Sequence, residues 1–162
     1  MLDQNTLEAL QEYVEMHRIS MNMPLYESES IFSVDSETNI ADLEDYIKEN
    51  QSPSFSETLF AFIDEKGYTD SEVYKRAGLD RRLFSKIRSN PDYKTSKQTV
   101  ATLAIGLRLD ETKTEELLDA AGYSLSYNDP FDLVIRFCLQ NGTYDVDEVN
   151  QALEYMGVKT LW

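Results

Sequence analysis

The chain has 162 residues, enough for one compact domain of ordinary size with an appendage, and 41% of them are apolar, a globular composition. No apolar run approaches the roughly 20 residues of a membrane span, and the single cysteine, Cys138, excludes an internal disulfide and suits a reducing cytoplasm. A net charge of −15, taken alone, argues against nucleic acid as a partner, because phosphates repel an acidic surface.

Apolar residues recur with a period near 3.6 along most of the chain, and no alternating run reads as a strand, so the expected class is all-α. The opening segment, about Gln4 to His17, places Leu7, Leu10, Tyr13 and Val14 on one stripe of an amphipathic helix. Being acidic as well as amphipathic, it is unlike a secretory signal. The following stretch, SMNMPLYESESIFSVDSETN, lacks periodicity and reads as an extended arm or disordered linker, in which Met21, Met23, Leu25, Tyr26, Ile31 and Phe32 are apolar enough to dock elsewhere. A short helix over Ile40 to Lys48 carries Leu43, Tyr46 and Ile47 and ends before Ser52-Pro53. Residues 1–52 form this acidic N-terminal extension.

From Ser54 the signals sharpen. Ser54 with Glu57 makes a capping box for a helix with Phe55, Leu59, Phe60, Phe62 and Ile63, ending at Gly67. Thr69 with Glu72 makes another, for a helix with Val73 and Ala77 inward, and Gly78 stops it by accepting a positive φ. Asp80 caps the next helix, RRLFSKIRS. There Leu83, Phe84 and Ile87 share one face while Arg82, Ser85, Lys86 and Ser89 share another. After the loop NPDYKTSKQT come a helix over about Gln98 to Arg108, with Val100, Leu103, Ala104 and Leu107 on one side, and a helix from Glu111 to Ala121 with Leu117 and Leu118 inward. Residues 53–125 thus hold five helices. Residues 126–162 form a C-terminal helical pair: Asp129-Pro130 opens a strongly apolar helix through Phe131, Val134, Ile135, Cys138 and Leu139. Asp145 and Glu148 open another with Val149, Leu153 and Met156. Faces this apolar are expected to pack on the five-helix unit or on a partner chain.

Charge is unevenly spread. Residues 1–52 hold 12 acidic and 2 basic side chains, residues 53–125 hold 12 and 11, and residues 126–162 hold 6 and 2. Residues 81–97 contain Arg81, Arg82, Lys86, Arg88, Lys94 and Lys97 against Asp92 alone. The chain is acidic at both ends with a basic island on the second helix of the helix–turn–helix pair, and a short helix that presents Arg, Ser and Lys outward suits a DNA major groove.

The order SEVYKRAGL, RRLFSKIRS, loop, VATLAIGLRL, ELLDAAGY resembles the five-helix DNA-binding domain of the Cro/C1 (Xre-type) repressors. More closely, SFSETLFAFIDEKG, DRRLFSKIRSNPDYK, ATLAIGLRLDETKTEELLDAAGYSLS and FDLVIRF…NGTYDVDEVNQAL look like a bacterial helical module found alone or appended to macro, kinase and von Willebrand-type domains. The closer match spans about residues 54 to 157. The repressor resemblance implies that Arg81, Arg82, Ser85 and Lys86 meet base edges, with arginine suited to guanine O6 and N7. Ser89, Lys94 and Lys97 would contact the backbone, which positions without specifying. Four departures stand out: Tyr74 replaces the small residue usual in the first helix and is expected to repack the helix crossing, Arg88 replaces an acidic residue, Asn90 replaces a glycine whose left-handed conformation asparagine tolerates, and the loop to the next helix is longer.

The sequence-level expectation is therefore a cytoplasmic bacterial or phage protein, a regulator of transcription that binds duplex DNA and dimerises or docks a protein through its C-terminal helices. The alternative is a non-catalytic adaptor in a signalling or phage-defence system. No cofactor is implied. With one histidine and one cysteine a zinc site is not expected, Asp145-Val146-Asp147 lacks the calcium-loop glycine, and no nucleophile motif or phosphate loop occurs, so the chain is read as no enzyme.

Overall fold

Local capping residues decide where the helices begin. In the computed structural model, which describes residues 2–20 and 40–162, nine α-helices and no strand form among those residues. They are α1 (Gln4–Ser20), α2 (Ile40–Asn50), α3 (Phe55–Lys66), α4 (Asp70–Ala77), α5 (Arg81–Ser89), α6 (Lys97–Gly106), α7 (Glu111–Ala120), α8 (Pro130–Gln140) and α9 (Val146–Tyr155). The chain is all-α. The expectations for the arm, including docking by Met23 or Phe32, lie outside the described residues.

Side-chain oxygens of Ser54, Thr69, Asp80, Ser96, Asp110, Asp129 and Asp145 each accept a backbone N–H in the first turn of the helix that follows. Thr69 and Glu72 complete a reciprocal capping box, whereas at Ser54 only the serine half is present. Gly67 and Gly78 end α3 and α4 in the left-handed conformation, at φ 70° and 66°. Asn90 does not follow them: it is extended, at φ −129°, and its side-chain oxygen instead accepts the Asp92 N–H at 3.1 Å, turning the loop locally.

At the centre of the fold is α6. Every residue from Val100 to Gly106 is buried, and the helix packs on α4, α7 and α9. At Gly106 a β-carbon would lie 3.2 Å from the Ala77 side chain and 3.3 Å from the Val73 carbonyl, so the α4–α6 approach depends on the missing side chain. Here the expectation for Tyr74 is revised. Its ring stands edge-on to Phe84 of α5, 5.6 Å between centroids, and the close crossing is served by Val73, Ala77 and Gly106. The helix also stops earlier than its periodicity suggests. Arg108 takes φ +54°, the Leu109 N–H bonds to the Ala104 carbonyl at 3.0 Å, and both Leu107 and Leu109 turn into the core.

The C-terminal pair packs on this unit and is covered from the other side by the first helix. Leu10 and Val14 are each 1% exposed, and α1 lies against α8 and α9. The segment expected to belong to an acidic extension is thus part of the core. Eight of the eleven residues of α8 are buried, so its apolar face is closed within the chain and is not a free dimer surface. No described helix is long and apolar enough to cross a membrane.

Candidate nucleic-acid interface

The basic island lies on α5 and the loop after it. Phe84 and Ile87 bury the inner face of α5, and Ser56 Oγ donates to the Ile87 carbonyl at 3.0 Å, fixing α5 against the start of α3. A three-residue turn, Gly78-Leu79-Asp80, joins it to α4. The Leu79 N–H bonds to the Tyr74 carbonyl at 2.9 Å, and Asp80 Oδ1 accepts the Arg82 N–H at 2.9 Å. Helix α5 is the most strongly amphipathic of the described helices, because its outward positions are all charged or hydroxylic.

The seven expected contact residues fall into three groups. Arg81, Arg82, Ser85, Lys86 and Ser89 are all exposed on α5, and Arg81, Arg82 and Lys86 have no ion pair among the described residues. Arg81 and Arg82 sit at the positive end of the helix dipole, where a cation is disfavoured by roughly 0.3–1 kcal/mol, so local helix stability does not account for their placement. Lys94 is exposed on the loop. Lys97 is different: its ammonium lies 2.6 Å from the carboxylate of Asp132, a residue only 1% exposed on α8. That charge is committed to holding α6 and α8 together, since a buried carboxylate needs a partner. Lys97, still partly exposed, thus has a carboxylate partner within the fold, unlike Arg81, Arg82 and Lys86.

Arg88, also in the basic island and exposed, is engaged by a carboxylate. Its guanidinium bonds Asp70 at 2.5 Å and lies 4.0 Å over the Phe60 ring. The exposed α5 side chains without an ion pair are thus Arg81, Arg82, Ser85, Lys86 and Ser89. Ser89 Oγ additionally donates to the Lys86 carbonyl at 3.4 Å.

Two further charged places escaped the sequence reading. One is a cleft of about 780 Å³ between the end of α4 and the start of α9. Lys75, Arg76 and Arg108 line one wall, Asp145, Asp147 and Glu148 the other, and Trp162 stands at its rim. Trp162 Nε1 donates to the Ala77 carbonyl at 3.3 Å, and the indole covers Gly78 at the α4–α5 turn. With opposite charges on its walls, the cleft offers a polyanion no net attraction.

The other is a buried ionic cluster. Arg136, 5% exposed on α8, bonds Glu111 and Glu115 of α7 and donates to the Leu125 carbonyl at 3.0 Å. Burial opposes its charge, but the hydrogen bonds it donates to Glu111 and Glu115 outweigh that and raise its pKa above the ordinary value. The guanidinium also lies 4.4 Å from the centre of the Tyr127 ring, which stacks on His17 of α1 at 5.2 Å. These contacts are a latch between α1, α7 and α8. They do not form a catalytic arrangement, because every carboxylate in them is engaged with a fixed cation. Burial pushes the Cys138 thiol up to about 12, so it is a poor nucleophile. Among the described residues no group of three or more metal-ligating side chains comes together.

Comparison of the chain with protein-family models, with curated proteins and with solved structures returned no match.

Proposed function

We propose that this protein is a non-enzymatic DNA-binding regulator of transcription, with residues 53–125 forming a Cro/C1-type helix–turn–helix unit and α5 as the recognition helix. The observation that carries the reading is the outer face of α5. Three exposed cations there, Arg81, Arg82 and Lys86, have no ion pair among the described residues, two of them lie at the helix end that disfavours them, and Ser85 and Ser89 interleave. Lys75, Arg76, Lys94 and Arg108 likewise have no carboxylate pair among the described residues, so the observation rests on the clustering of three cations on one face of a short helix. In this reading Arg81 and Arg82 meet base edges, Ser85 and Lys86 lie one turn on, and Ser89 and Lys94 touch phosphates.

Net charge of −15 requires the contact to be local and strongly dependent on ionic strength. The test uses the full chain, because α1 supplies core residues. At about 50 mM salt the chain should shift the anisotropy of a labelled pool of duplex DNA, and binding should weaken steeply as salt rises. Arg81→Ala/Arg82→Ala should reduce affinity by at least about tenfold with the fold unchanged, as loss of two arginine contacts implies. Absence of binding at low salt, or an unchanged affinity in the double variant, overturns the proposal.

The exposed apolar stripe of α2, Ile40, Leu43, Tyr46 and Ile47, favours a second reading as an adaptor that holds a protein partner. The C-terminal helices are less suited to that role, since their apolar faces are already buried.

A further inference from the structure

Past α9 the chain turns back on itself. Gly157 takes the left-handed conformation at φ 68°, and the Val158 N–H bonds the Leu153 carbonyl at 2.9 Å. Leu161 returns as far as Asn150 of α9, whose Oδ1 accepts its N–H at 2.8 Å. Leu161 is 6% and Asn150 8% exposed, so this hydrogen bond is a buried anchor that is costly to leave unmade. Thr160 Oγ1 adds a bond to the Trp162 carbonyl at 2.8 Å, fixing the shape of the last turn of chain.

What this segment carries is the indole of Trp162, and the indole reaches the helix–turn–helix. Ala77 is the last residue of α4, and its carbonyl is one of those a helix leaves without an intrahelical donor. Trp162 Nε1 supplies that donor at 3.3 Å. The same ring lies over Gly78, where an added β-carbon would meet three indole atoms at 3.4–3.5 Å. On its other side Ala77 faces Gly106 of α6, so the end of α4 is held between α6 and the indole. Gly78 opens the three-residue turn from which α5 departs, and the dihedral angles of that turn set the direction of α5. Trp162 itself remains 60% exposed, so core burial does not account for its placement.

We infer that residues 158–162 are a strap tying α9 to the α4–α5 turn, and that Trp162 is a positioning residue for α5. It acts through Ala77 and Gly78, holding the turn just before Arg81 and Arg82. By this route the C-terminal helical pair, outside the five-helix unit, fixes the angle at which the basic face is presented. The strap rests on the contacts above; its consequence for DNA rests on the DNA reading already proposed.

Amide exchange and DNA binding, both on the full chain, separate the two. Trp162→Ala should leave the urea midpoint within the narrow range of surface substitutions. It should speed amide exchange at Leu79, Leu83 and Phe84 by about fivefold, as loss of one hydrogen bond at the turn implies, while Val134 and Ile135 of α8 keep their rates. Trp162→Phe, which keeps a ring over Gly78 without the N–H, should fall between the two. Asn150→Ala, which frees Leu161 from α9, should reproduce the Trp162→Ala pattern at the turn. At about 50 mM salt Trp162→Ala should bind labelled duplex DNA about fivefold more weakly. Unchanged exchange at the turn overturns the inference, and so does a rise spread evenly over α4, α6 and α8, which marks general loosening. Equal DNA affinity of the unaltered chain and Trp162→Ala overturns the positioning role. If exchange behaves as described while the unaltered chain binds no duplex, the strap stands and the DNA reading alone falls.

Discussion

Helices α1 and α2 come from the same acidic stretch, carry the same kind of apolar stripe and end differently. Leu10 and Val14 of α1 are each 1% exposed against α8 and α9, whereas no residue of α2 is buried. Amphipathicity alone therefore does not decide burial; a matching surface within reach does. The α1 stripe meets the exposed side of an otherwise apolar α8, and the ring stack of His17 on Tyr127 adds an aromatic contact at its end. For α2 the exposed stripe of Ile40, Leu43, Tyr46 and Ile47 meets no such surface among the described residues.

The comparison can be broken most forcefully at Leu10. Leu10→Ala should lower unfolding free energy by about 2–4 kcal/mol, the usual loss for truncating a fully buried leucine, read as a shift in urea midpoint at constant slope. A change near zero would mean that α1 is no more anchored than α2. A somewhat smaller effect is expected at the latch beneath α1. Arg136→Met removes a buried guanidinium from two carboxylates that retain partial access to water, so the loss should be about 2–3 kcal/mol rather than the larger value of a fully buried pair. Because Arg136 supports Tyr127, amide exchange should rise in α1 more than in α6. The smallest effect belongs to α2: Leu43→Ala should change stability by less than about 0.5 kcal/mol, as surface substitutions do. A loss comparable to that at Leu10 would place α2 in a packed position and erase the distinction.

The basic residues allow a parallel contrast. Lys97 and Arg81 look alike in the sequence, each next to a helix start in the same basic run. In the fold Lys97 faces a buried Asp132 contributed from 35 positions later, while Arg81 faces solvent. No local pattern carries that difference, because the partner is set by how α8 packs on α6. Arg88 illustrates the same point, since its Asp70 partner becomes visible only once α4 and α5 are placed side by side. The outward face of α5, Arg81, Arg82, Ser85, Lys86 and Ser89, was therefore legible in the sequence, but the pairing of Lys97 and Arg88 was not.

What the sequence by itself determined is the local grammar: the all-α class, the capping positions at Ser54, Thr69, Asp80, Asp129 and Asp145, and the left-handed stops at Gly67 and Gly78. Those features depend on interactions within one helical turn, which chain neighbours supply whatever the rest of the molecule does. Only the tertiary structure decided that α1 closes the core, that α2 stays outside it, that Tyr74 packs on Phe84, and which cations remain unpaired. Each of those outcomes depends on groups distant in sequence being brought within a few ångströms, where burial and charge pairing are strong enough to choose between otherwise equivalent residues.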